Sequence, residues 1–191
     1  MYNVDIMQCI DSVCCFIGHR KIEITGNLVE RLKRIIENLV LNNNVYFFAF
    51  GSRSEFDSLC YSVVTELKKK YPKIKRVVYT CKHEACVFEE EREEMERISS
   101  NVTGKKVKLL SYDEEYNFSA KYSAGKASYV ERNYAMIDNS KYCIFYYDVN
   151  YKPDIRKSSK NSVYCYQPKS GTKLAYEYAV KKNKTIILIN Q

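Results

Sequence analysis

Glycine and proline are scarce in this chain, six and three among 191 residues, and tryptophan is absent. The shortage of glycine and proline excludes a linker-rich or low-complexity polypeptide. No apolar run approaches the roughly 20 residues that a bilayer-spanning helix needs. The segment from Met1 to Asp11 carries Asp5 and lacks a basic flank, so it does not read as a signal peptide. We therefore expect a cytoplasmic protein with no membrane partner. No internal repeat is apparent. The length suits one domain with a substantial core, spanning residues 1–191 with 1–11 as a short N-terminal extension.

Cysteine is plentiful, with eight in the chain, but it lacks the spacing of a zinc site. Cys81, His83 and Cys86 form the sharpest metal-like group, and no second Cys or His pair accompanies them. Cys14, Cys15 and Cys143 lie inside apolar strand-like runs, and Cys60 lies on the apolar stripe of a helix, as small buried hydrophobes do. We expect free thiols, no metal and no cofactor. The formal net charge is +8. The basic clusters Lys68–Lys70, Lys105–Lys106 and Lys181–Lys182 fall near helix ends or in turns, where lysine complements the helix dipole. They read as a solvated face rather than a nucleic-acid groove, yet the excess of positive charge favours an anionic ligand. The glutamates at 89, 90, 91, 93 and 94 likewise read as a solvated face rather than an acid–base pair.

Strand and helix alternate along the chain. Continuous apolar runs at Val13–Ile17, Val45–Phe50, Ile74–Tyr79, Val107–Tyr112, Cys143–Tyr147 and Thr185–Ile189 predict six strands. Leu28, Leu32, Ile35, Ile36 and Leu39 recur at helical spacing behind Thr25, a plausible N-cap. Phe56, Leu59, Cys60, Val63, Val64 and Leu67 form a second helical stripe. Glu84–Ser100 and Lys126–Ser140 predict two more helices, the latter with Val130, Tyr134 and Ile137 on one side, and Leu174–Lys182 predicts a last one. Apolar strands joined by amphipathic helices argue for a mostly parallel sheet covered on both faces, an α/β doubly wound, Rossmann-like fold. Ligands bind such sheets beyond the carboxyl ends of the strands.

Three loops are expected at that edge. Gly18 lets the chain turn after the first strand, which puts His19 and Arg20 within reach of a phosphate or ribose; alternatively His19 caps a backbone group and Arg20 is a surface charge. Gly51, Ser52, Arg53 and Ser54 follow the second strand, where hydroxyls and backbone amides suit an anion nest. Ser170, Gly171 and Thr172 open the last helix between Lys169 and Lys173, a small-residue turn of the kind that holds phosphate or simply caps a helix. Arg132 brings a guanidinium able to clamp phosphate, or else pairs with Glu131 or Asp138 on an exposed helix face. The irregular segment from Asp148 to Pro168 is long enough to serve as a lid. Tyr146, Tyr147, Tyr164 and Tyr166, four of eighteen tyrosines, lie where they can stack on a base.

Cys15-Phe16-Ile17-Gly18-His19-Arg20 resembles the first-strand signature of the YpsA-like branch of the SLOG superfamily, which also holds the LOG phosphoribohydrolases and the DNA-processing protein DprA. The segment Tyr129–Met136 resembles that family's arginine-containing helix. Ser170-Gly171-Thr172, with Ala175, Tyr178 and Ala179, resembles its last phosphate-binding turn and helix. The resemblance runs from Val13 to Ile189 and implies a Rossmann-like fold with a pocket for a nucleotide or nucleotide-derived ligand, used as a sensor or signal. It also frames two alternatives, a LOG-like N-glycoside hydrolase and a DprA-like binder of single-stranded DNA. Hydrolysis needs a carboxylate, for which Glu131 and Glu177 are the nearest candidates. Glu177 lies two positions beyond the LOG site near Ala175, about 200° around the helix, so the expectation leans away from an enzyme. Homo-oligomerisation stays open.

Overall fold

The computed structural model describes residues 10–51, 54–80, 87–88, 111–116, 126–153, 155–157, 164–166 and 168–190. In chain order its elements are β1 (Val13–Gly18), α1 (Gly26–Asn43), β2 (Phe47–Phe50), α2 (Glu55–Lys70), β3 (Lys75–Tyr79), β4 (Val87–Phe88), β5 (Ser111–Tyr112), β6 (Glu114–Tyr116), α3 (Lys126–Asp138), β7 (Tyr142–Tyr146), β8 (Arg156–Lys157), β9 (Cys165–Tyr166), α4 (Gly171–Lys181) and β10 (Thr185–Leu188). Six of the strands make one sheet in the order β10-β7-β1-β2-β3-β6. Every pairing in it is parallel. With helices on both faces, this is a doubly wound, Rossmann-like fold.

Alternation along the central strands divides the interior in two. Cys14, Phe16, Phe48, Phe50 and Ile144 face α1 and α2, packing with Leu32, Ile36, Phe56, Cys60 and Val64. Cys15, Ile17, Ala49, Cys143 and Phe145 face the other way, against Met136 and Ile137 of α3 and Ala175 and Ala179 of α4. Local contacts set the bounds of α1 and α2. Thr25 and Ser54 cap α1 and α2 by accepting the Leu28 and Asp57 amides at 3.2 and 3.0 Å. Asn44, at φ 55°, closes α1 in the left-handed region that asparagine tolerates. The buried thiols behave as the strand pattern implies. Burial pushes Cys14 and Cys60 well above the usual thiol range, and Cys143 rises with its hydrogen bond to Cys15 and its burial.

The far edge of the sheet departs from expectation. Of the strand expected at 107–112, the described residues Ser111 and Tyr112 lie outside the main sheet and pair in parallel with Val87 and Phe88. Those two residues stand in extended pairing where a helix from 84 to 100 was expected, and the remainder of that segment and 107–110 lie outside the described residues. The edge strand is Glu114–Tyr116, registered on β3 with Val77 opposite Glu114. What selects this register is polar. Arg76, 1% exposed, donates from Nε and Nη2 to the Asp113 carboxylate at 3.1 Å each, and from Nη1 to Tyr61 and Thr65. The Arg76 backbone N–H also donates to Asp113 at 2.7 Å, and Lys68 to its other oxygen at 2.5 Å. Such a charge pair, with its hydrogen bonds satisfied, fixes one alignment of chain against chain.

The segment 148–170 is not wholly irregular, because β8 and β9 form a short antiparallel ribbon within it. Among the described residues no helix is long and apolar enough to cross a membrane.

Candidate functional site

The strand order sets where a crevice forms. From β1 the sheet grows through β2 and β3 to β6 on one side, and through β7 to β10 on the other. The loops leaving β1 and β7 therefore diverge at the carboxyl edge, the place where open α/β sheets take their ligands. Gly18 ends β1 opposite Tyr146, the last residue of β7. A Cβ on Gly18 would lie 2.3 to 2.6 Å from the Cδ1, Cγ and Cβ atoms of Phe56. The glycine thus lets α2 seat its first turn directly on the end of β1. The Arg20 carbonyl accepts the Glu55 amide at 2.9 Å, and the Glu55 carboxylate accepts the Ile22 amide at 3.0 Å, which ties the loop after β1 to the same helix start. The Arg20 side chain is exposed.

His19 is 3% exposed. Its Nε2 accepts the Asp148 backbone N–H at 2.9 Å, so it joins the tip of β1 to the loop leaving β7. The Tyr151 ring lies over the imidazole with centroids 4.1 Å apart. Tyr147 and Tyr146 flank it at 6.1 and 6.4 Å. Burial lowers the His19 pKa from its usual value, against the pull of the Asp148 carboxylate. A backbone-capping task for His19 is therefore realised. Sequence reasoning did not single out Tyr151, because its partner is brought to it only by the fold.

Arg132 departs from an exposed surface charge. It is 3% exposed. The reason lies in the buried stripe of α3, which runs through Ser128, Arg132 and Met136 and includes Ile137. Val130 and Tyr134, expected on one side with Ile137, are half-buried, and Tyr134 stacks on Tyr178 of α4 at 3.9 Å. The space that admits Arg132 is the missing side chain of Gly51, just beyond β2: a Cβ there would lie 2.8 Å from Arg132 Nε and 2.6 Å from Met136 Sδ. The guanidinium carbon sits 4.9 Å from the centroid of the Tyr129 ring, which is 44% exposed. Asp138, the other expected partner, instead accepts from Tyr178 at 2.9 and 3.0 Å and pairs with Lys182. Ser52 and Arg53 lie outside the described residues.

At α4 the Ser170 hydroxyl accepts the Lys173 amide at 3.4 Å and so caps the helix. Ser170 and Thr172 are buried, whereas Gly171 is exposed and a Cβ there would meet nothing within 4 Å. No packing need therefore places a glycine at 171. Because α4 leads back into the parallel strand β10, its N-terminus stands at the same edge as Gly18 and Gly51. Tyr176 in its second turn stacks on Tyr147 at 4.8 Å. Glu177 lies on the outer face, its side chain 53% exposed and 4.0 Å from Lys173, and Glu131 is half-buried on α3. Tyr164 and Tyr166 are exposed. The candidate metal group Cys81, His83 and Cys86 lies outside the described residues. Chemically, this edge offers one sheltered guanidinium, the N-termini of α2 and α4 and several tyrosine faces, a set suited to holding an anion attached to a flat ring.

No protein-family model matches the sequence, and no curated protein matches it. Among solved structures the chain is similar to DNA processing protein A from Helicobacter pylori, described for a unique single-stranded DNA binding mode. The two are 13% identical, with a TM-score of 0.55 over 97% of this chain and 68% of that one. At that identity the likeness is one of fold.

Proposed function

We propose that this protein binds a nucleotide or nucleotide-derived ligand by its phosphate, at the carboxyl edge between β1 and β7, as a member of the YpsA-like branch of the SLOG superfamily. The observation that carries the reading is Arg132, a guanidinium drawn under cover at the sheet edge and laid into the space left by Gly51. A sheltered charge of that kind interacts with a phosphate far more strongly than a solvated one. The N-termini of α2 and α4 add partial positive charge at the same edge. Gly171 lets a ligand approach the α4 backbone closely, and Tyr129 offers a ring beside the guanidinium for a base. Neither Glu131 nor Glu177 supports a hydrolytic role over simple binding.

The test is Arg132→Lys and Arg132→Met, titrated by calorimetry with AMP, GMP, CMP and UMP. Lysine keeps the charge but not the fork, so we expect about ten- to hundredfold weaker binding for both variants, more for methionine. Because Arg132 is buried, thermal melts must accompany the titrations. Unchanged affinity in both variants with a normal melt would remove the arginine, and with it this reading. A second reading, binding of single-stranded DNA, is favoured by the exposed rings of Tyr129, Tyr151, Tyr164 and Tyr166, together with the name of the structural neighbour. Anisotropy with labelled oligothymidylate separates the two: tight oligonucleotide binding that mononucleotides do not compete favours the strand.

A further inference from the structure

We infer that the Nδ1–H of His19 is the donor that meets a phosphate oxygen of the ligand, and that Tyr151 is the cover over that contact. The inference rests on the nucleotide reading above and specifies one atom and one protonation form within it. The first step is the Asp148 hydrogen bond. Only a lone pair can receive that backbone N–H at 2.9 Å, so Nε2 carries no proton. A neutral imidazole must then bear its proton on Nδ1. Nδ1 is buried, and none of the described residues accepts from it. A histidine kept only to brace two loops normally has both nitrogens satisfied, because a buried donor without an acceptor forfeits its hydration. Here one nitrogen is committed to the fold and the other has no acceptor among the described residues.

The surroundings narrow what that is. The edge carries Arg132 and the N-termini of α2 and α4, so an anionic oxygen is the acceptor it favours. Tyr151 reaches the imidazole from a tight turn in which its own amide donates to the Asp148 carbonyl at 3.2 Å and the Asn150 amide to the Asp148 carboxylate at 2.8 Å. That turn hangs on the same residue whose N–H His19 holds. The imidazole therefore fixes the cover and presents the donor beneath it. Protonating Nε2 would set two donors against each other at Asp148, so acid loosens the cover instead of strengthening the phosphate contact.

Two substitutions separate the nitrogens. In His19→Asn the amide NH2 stands near the position of Nδ1, which keeps the donor and removes the acceptor for Asp148. In His19→Gln the amide reaches the position of Nε2, where its oxygen accepts the Asp148 N–H, and the Nδ1 donor is gone. Titrated with AMP, GMP, CMP, UMP, inorganic phosphate and oligothymidylate, His19→Gln should bind roughly tenfold more weakly and His19→Asn within about threefold of the unaltered protein. A loss seen with mononucleotides assigns the oxygen to a free nucleotide; a loss confined to oligothymidylate assigns it to a strand. Equal affinity of His19→Gln and the unaltered protein, with normal melts, overturns the inference and leaves the nucleotide reading in place. Failure of the unaltered protein to bind any probe overturns both. A ligand-free measurement decides independently of binding. The chain has two histidines, so His83→Gln leaves His19 alone, and its 15N chemical shifts show which nitrogen holds the proton. A proton on Nε2 overturns the inference whatever the titrations give.

Discussion

Gly18 and Gly171 show two reasons for choosing the same residue. At Gly18 the absent Cβ is occupied by the root of Phe56, not by the far end of a movable side chain. Gly18→Ala must therefore push α2 away from β1, and we expect a loss of about 1–3 kcal/mol in urea unfolding, the range of overpacked cores. A loss well below that range would mean that α2 is not seated by this contact. At Gly171 nothing stands in the way, so no packing contact requires a glycine there. His19 adds a dependence on pH. Its pKa in the fold lies below the usual 6.5, chiefly because it is buried. Well above about 6.5 neither the folded nor the unfolded form is protonated, and His19 contributes nothing to the slope. As pH falls through about 6.5 toward the folded value, the unfolded chain takes up the proton first, so stability declines; below the folded value the effect is constant. Thermal melts between about pH 7 and pH 5 should show this decline, and His19→Gln should lack its share of it.

Among the elements, β6 explains itself least by its own sequence. Glu-Glu-Tyr has no apolar run, and an edge strand of three residues gains little from burial. The strand stays because Asp113, just before it, is gripped by Arg76 and Lys68. Asp113→Asn should cost about 3–5 kcal/mol, because it leaves a buried guanidinium without its counter-charge. Hydrogen exchange should show the β3–β6 pairing opening first, while the β1–β7 pairing keeps its protection. A uniform loss across the sheet would mean that Asp113 supports the whole fold rather than this edge. The pair α3 and α4 makes a different point. The sheet-facing side of α4 is built from small residues, Ala175 and Ala179 against Cys15, Ala49 and Cys143, whereas α3 packs on the same face with the larger Met136 and Ile137. On α3 it is the missing side chain of Gly51 that leaves room for the buried arginine and for Met136.

At the scale of the molecule, the strand and helix order was legible because the central strands are continuous apolar runs and the helices open on Thr25, Ser54 and Ser170. The strand at 114–116 was not, since Asp113, Glu114 and Glu115 in succession give no strand signal. Of the candidate site, the loops at Gly18, Gly51 and Ser170 could be placed on one edge from their positions after strands or before a helix. The burial of Arg132 could not, because an arginine on a helix with charged neighbours reads as surface until Gly51 is seen opposite. Nor could the stack of Tyr151 on His19, whose two residues lie far apart in sequence and meet only where β1 and β7 end side by side. That stack has an optical consequence. With eighteen tyrosines and no tryptophan, the protein emits no indole fluorescence. Tyr151→Trp would make the loop over the imidazole its sole indole emitter, so opening and closing at this one place could be followed in real time against a dark background.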